Sequence, residues 1–89
     1  MTPWQLALAS SAERTLARLP DRVAAAVVGF LVGALLEGPE KIGKPLRYEL
    51  EGYWSARRGA YRIVYRLDHN APTVRVVRIE HRADVYRPH

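Results

Sequence analysis

Tyr61-Arg62-Ile63-Val64-Tyr65-Arg66-Leu67-Asp68, then His69-Asn70-Ala71-Pro72, then Thr73-Val74-Arg75-Val76-Val77-Arg78-Ile79-Glu80 is the stretch on which the fold turns. β-Branched and aromatic residues fill both runs, and a short loop rich in turn formers separates them, so two antiparallel strands are predicted. In the first run, alternation sets Tyr61, Ile63, Tyr65 and Leu67 against Arg62, Val64, Arg66 and Asp68. The first set suits a core under helices; the second leaves Arg62 and Arg66 on an open face. The second run resists such sorting. Arg75, Val77, Ile79 and His81 oppose Val74, Val76, Arg78 and Glu80, and neither set is purely polar. A central position in the sheet, with basic residues near the strand ends, fits that mixture.

Working outward, Gly59 turns the chain back into a strand over residues 53–58, and Gly52 separates it from a shorter strand over 46–51. Residues 40–45 read as loop. Near the N-terminus, Trp4, Leu6 and Leu8 alternate with Gln5, Ala7 and Ala9, the period of a half-buried strand. Ser10 as N-cap, with Glu13 three positions on, offers a capping box. The short helix that follows buries Ala12, Leu16 and Leu19. Pro20 and Asp21 suit the first turn of a second helix, whose inward positions are Val23, Val27, Phe30, Leu31, Ala34 and Leu35 and which Gly38-Pro39 ends. Gly29 and Gly33 leave two readings open, a helix-dimer seam or close packing on a sheet or second helix. The predicted fold is α+β. An N-terminal strand and a two-helix hairpin precede antiparallel strands, all forming one mixed sheet with helices on one face, in a single domain over residues 1–89.

Charge divides the chain. Residues 1–40 hold three basic and four acidic side chains, and residues 41–89 hold eleven basic and five acidic ones, so the net +5 is −1 plus +6. Cysteine is absent, which excludes disulfides and thiolate metal sites. No basic segment precedes an apolar stretch at the N-terminus, and the apolar run over 23–36 is shorter than the ~20 residues a bilayer requires. The expectation is a soluble cytoplasmic protein with no membrane partner. Regularly spaced arginines on a sheet suit a polyanion, RNA above all, because guanidinium binds phosphate in a bidentate fork and stacks on bases. Any single arginine could equally be a solvated surface charge, and Asp68 and Glu80 could pair with Arg66 and Arg78. Tyr53, Trp54, Tyr61 and Tyr86 offer aromatic faces, Tyr61 only if the sheet does not bury it.

Four segments carry a resemblance. They are Gly43-Lys44-Pro45-Leu46, the run over 50–59 from Leu50 through Gly52-Tyr53-Trp54 to Arg57-Arg58-Gly59, Tyr61-Arg62-Ile63-Val64-Tyr65, and His81-Arg82-Ala83-Asp84-Val85-Tyr86-Arg87. In order and spacing they resemble the RelE-type toxins of the RelE/ParE toxin–antitoxin superfamily, in an actinobacterial-looking branch. The resemblance implies a translation inhibitor that enters the 30S A site of the ribosome and cuts the exposed messenger RNA. It implies cleavage without metal or cofactor, by attack of the RNA 2′-hydroxyl on the adjacent phosphate, and a cognate antitoxin bound in a hetero-oligomer. It places Arg62 on the scissile phosphate, Arg82 on the charge that grows there, and Tyr86 in stacking and proton transfer. Lys44, Arg47, Arg57 and Arg58 would grip the RNA backbone. Where some members carry two lysines this chain has Tyr53 and Ser55, so Lys44, Arg57 or Arg58 must supply that charge. His81 is either a base, imidazole being the side chain suited to proton transfer near neutral pH, or a packing or antitoxin-contact residue. Two alternatives stay open: a ParE-like poison of DNA gyrase, and a non-catalytic RNA-binding or regulatory module.

Overall fold

A computed structural model describes residues 3–82. Strand β1 (Gln5–Leu8) leads into helix α1 (Ser10–Arg18) and helix α2 (Asp21–Phe30), which continues through a π-helical stretch, Leu31–Leu35. A short helix α3 (Pro39–Ile42) and the two-residue strand β2 (Lys44–Pro45) follow. A 3-10 turn (Tyr48–Leu50) then leads to strands β3 (Tyr53–Arg58), β4 (Tyr61–Asp68) and β5 (Thr73–His81). The five strands form one sheet in the order β1-β5-β4-β3-β2. β1 runs parallel to β5 and the other neighbours are antiparallel, so the sheet is mixed, as predicted.

One face of this sheet is the core. Tyr65, Ile63, Val74 and Val76 are fully buried there, packed with Ala12, Val27, Leu31 and Leu35 of the helices. Burying side chains of this size stabilises by roughly 1.5–3 kcal/mol each. β4 sorts as its alternation predicts except that Val64, on the open face, is also buried, and β5 does not. Tyr65 pairs with Val76 but Val64 pairs with Arg78, so Val77 is one residue too many, a β-bulge. The bulge reverses the parity of β5, which is why Val74 and Val76 are buried before it and Ile79 after it. Ser11 Oγ donates to the Val77 carbonyl (2.6 Å) and the Ala9 N–H donates to Val76 O (2.8 Å), so α1 and its approach satisfy the backbone the bulge releases.

Several expectations are corrected. The N-cap of α1 is Ala9, with no side-chain cap, because Ser10 is already helical; the capping box does not form. Pro20 is the N-cap of α2, with Asp21 in the first turn. Ala34 is exposed, and the buried position that sequence reading missed is Leu36. Residues 46–51 are not a strand: the ladder is carried by Lys44 and Pro45, and Tyr48 has a φ of 59° that extended backbone does not allow. Among the described residues, a β-carbon at Gly29 or Gly33 would meet nothing within 4 Å, so close packing against them does not explain either glycine. No helix among the described residues is long and apolar enough to cross a membrane.

The phenol of Tyr65 anchors α3 to the sheet, donating to Pro39 O at 2.5 Å. Burial, then the nearby Glu40 carboxylate, pushes its pKa up to about 12 from 10.0. The neutral phenol is thus the form the fold prefers. Its stabilising contribution is complete below pH 10 and is lost as pH rises through 12, as the unfolded chain ionises first. Urea midpoints of wild type and Tyr65→Phe across this range should converge, because only wild type carries the loss. A constant difference from pH 9 to 12 would remove the phenol's burial as the cause.

Candidate phosphate-binding face

The other face of the sheet is charged. Register places Lys44 opposite Ser55, Arg57 opposite Arg62, Arg66 opposite both Tyr53 and Arg75, and Glu80 opposite Arg62. Alternation and the bulge thus bring six cations to one face: Lys44, Arg57, Arg62, Arg66, Arg75 and Arg78. Among the described residues Glu80 and Asp68 are the carboxylates there, and Asp68 Oδ1 is already occupied, accepting from the Asn70 and Ala71 N–H groups at 3.0 and 3.3 Å. Six cations less two carboxylates leave +4 on strands β2–β5.

Arg62 lines one hollow of this face. Ile42, Lys44, Ser55, Ala56, Arg57 and Arg62 line a hollow of about 310 Å³. Its guanidinium is held from the far side by Glu80: Nη2 donates to Oε1 at 2.9 Å and Nε donates at 3.3 Å. The pair is half-buried, with side-chain exposures of 32% and 20%, so its geometry is better fixed than that of a solvated ion pair. Arg78 Nη1 lies 3.9 Å from the second oxygen of the same carboxylate. One acid therefore orients two arginines while leaving Arg62 open toward Lys44 and Arg57.

The predicted residues divide by face. Lys44, Arg57 and Arg62 come together, and Lys44 lies directly across from Ser55, supplying a cation at one of the two positions where lysine was expected. Arg82 follows β5 at the Arg62 end, two residues past Glu80, and its N–H donates to Ala60 O at 2.6 Å. Arg58 and His81 are on the helix side. Arg58 shares a hollow with Arg22, Val23 and Val27. His81 lies edge-on to Tyr61, with centroids 5.1 Å apart, in a hollow lined also by Thr15, Arg18 and Ile79. The sheet thus separates His81 from Arg62 and puts Tyr61 out of reach of the open face. Arg47 is exposed beyond β2, outside the hollow. Tyr86 lies outside the described residues. Sequence reasoning missed Glu80 as the partner of Arg62 and Tyr53 as the ring under Arg66, whose Cζ sits 5.2 Å from the centroid.

Comparisons with known proteins agree with this architecture. A family model described as the ParE toxin of the type II toxin–antitoxin system parDE matches residues 6–86. Toxin RelG of Mycobacterium tuberculosis is 49% identical over 85 residues, spanning 96% of this chain and 98% of that protein. Toxin RelE of the same organism is 47% identical over 85 residues, spanning 96% of this chain and 88% of its own. The crystal structure of the toxin–antitoxin complex RelBE2 from M. tuberculosis matches with a TM-score of 0.85 and 48% identity, over 90% of this chain and 99% of that one. A mutant of the Escherichia coli toxin RelE in the free state matches at 0.72 with 22% identity, over 97% and 88% of the two chains, which speaks to fold alone.

Proposed function

The chain belongs to the ParE toxin family of type II toxin–antitoxin systems, and from that premise we propose that it is a ribosome-dependent messenger RNA endoribonuclease that inhibits translation. The observation that carries this reading is Arg62, held by Glu80 in a cationic hollow with Lys44 and Arg57. In the proposed reaction the 2′-hydroxyl of the RNA attacks the adjacent phosphorus. The new O2′–P bond forms as the P–O5′ bond breaks, one proton leaves the 2′-oxygen and another reaches the departing 5′-oxygen, and a cyclic phosphate and a 5′-hydroxyl result. Negative charge grows on the non-bridging oxygens, where Arg62 binds and Arg82 assists; Tyr86 stacks on a base and supports proton transfer. Preorganised donors of this kind act because they need no reorientation as the charge develops. His81, on the helix side, has no part in this scheme.

A face this small supplies charge more readily than orientation. The ribosome provides the latter by presenting the message in its A site, so free RNA should be cut slowly. The RelBE2 complex is a toxin bound to its antitoxin, and we extend that partnership to this chain: a cognate antitoxin would cover the toxin in a hetero-oligomer. A second reading is favoured by one observation, the match to the ParE model, and would make the chain a gyrase poison. Inducing the protein and mapping messenger RNA 5′ ends separates the two. New ends within translated messages, absent for Arg62→Ala, are expected. An SOS response with no new ends would sink the nuclease reading.

A further inference from the structure

We propose that Arg66 and Arg75, with Tyr53, form a second phosphate-binding subsite at the end of the sheet face away from Arg62, and that it holds a distant phosphodiester of the same RNA strand. The inference rests on the open face being the RNA surface and adds a second point of attachment to it. Arg66 and Arg75 are directly opposite each other in register, and both are exposed. Like charges so placed on an antiparallel pair are destabilising. Among the described residues no carboxylate lies within ion-pairing distance of either one. The nearest acid in sequence, Asp68, is engaged by the backbone of the loop. The two arginines border a hollow of about 470 Å³ that also takes in Asp68, His69, Asn70 and Thr73, so its one carboxylate is the one the loop backbone already engages.

Two features favour nucleic acid over an acidic protein segment. The guanidinium of Arg66 lies over the Tyr53 ring, so a planar cation and an aromatic ring adjoin at one spot, the combination that suits a phosphate with its base. Arg66 also continues the line of Arg62 along one strand. Four residues of antiparallel strand separate them, about 13 Å. A stacked strand rising ~3.4 Å per nucleotide would bring phosphates to both ends about four nucleotides apart.

Oligonucleotide length therefore provides the test. Full-length wild type, Arg66→Gln/Arg75→Gln and Arg62→Gln would be titrated with labelled 2′-O-methyl oligoribonucleotides, which lack the attacking hydroxyl, of three and eight residues. Wild type should prefer the longer one. The double variant should lose about 10- to 100-fold in affinity for the octamer, little for the trimer, and about 0.7 from the slope of log K against log salt, the share of the one phosphate lost. It should melt no lower than wild type, since a repulsion has been removed. Unchanged octamer affinity and slope in the double variant, with weakened binding by Arg62→Gln, would overturn the subsite and spare the face. Loss of neither would overturn both. Intact RNA binding with lost capture of an acidic helical peptide would reassign the pair to a protein interface.

Discussion

Arg62→Ala should lower messenger RNA cleavage by about 10²–10³-fold and abolish growth inhibition, with the fold intact. The magnitude follows from the role proposed for the side chain, since a preorganised donor on a developing oxyanion contributes roughly 2.7–4 kcal/mol to the barrier. The variant should still fold because Arg62 contributes little to packing. Its partner Glu80 keeps a fifth of its side chain in water and has Arg78 3.9 Å from its second oxygen as a remaining cation. A partly solvated pair of this kind is worth about 1 kcal/mol or less. Glu80→Gln is the informative companion. It retains Arg62 and removes the charge that orients it, so RNA should bind at least as tightly while turnover falls. Arg82→Ala should resemble Arg62→Ala. Full growth inhibition by a soluble, folded Arg62→Ala protein would remove Arg62 from the reacting phosphate.

How much of this face was legible in the sequence depends on one residue. β4 declared its two faces, because its side chains, the buried Val64 apart, follow a period of two. Arg57 and Arg58 could have been told apart by the same rule, since neighbours on a strand point to opposite sides. β5 could not be read this way. Continuing the register of Arg66 with Arg75 without a bulge would set Ile79 opposite Arg62 and carry His81 to the open face. Val77 adds one residue, and Glu80 takes the place opposite Arg62 while His81 moves under the helices to Tyr61. Nothing local requires that bulge. It is favoured by a Ser11 hydroxyl 66 residues away and by the parallel pairing of β1, both of them tertiary facts. The misplaced strand at 46–51 has a related cause. Alternating apolar residues suggested extension, but Tyr48 takes a positive φ of 59° and turns the segment into a 3-10 loop. Of the residues that the family resemblance named, Lys44, Arg57 and Arg62 meet in one hollow, whereas Arg58 and His81 lie on the helix side and Arg47 lies outside it.

Gly43→Ala is expected to be the most damaging single methyl in the chain, at roughly 3 kcal/mol or more. Its backbone is ordinary extended structure, φ −105° and ψ 175°, which any residue adopts. The constraint is space. A β-carbon there would lie 1.8 Å from Tyr65 Oη, 2.9 Å from Cζ and 3.0 Å from the Ser55 carbonyl oxygen. Tyr65 is fully buried and cannot swing aside, and Ser55 is fixed in the β3 ladder. Either the ring retreats, giving up its hydrogen bond to Pro39 O, or β2 lifts from β3. Overpacking of this kind costs about 1–3 kcal/mol, and the orphaned buried carbonyl about 1–3 more. A double-mutant cycle with Tyr65→Phe tests the cause, because removing Oη removes the closest clash. The pair should be coupled by at least about 1 kcal/mol in urea denaturation, and strictly additive losses would mean that the phenol is not what Gly43 accommodates. The same methyl reaches the functional face. Gly43 stands between Ile42 and Lys44, both of which line the Arg62 hollow, so the partially rescued double variant should regain stability faster than it regains cleavage. The Gly-Lys-Pro-Leu segment would then owe its glycine to the phenol behind it and its lysine to the phosphate in front.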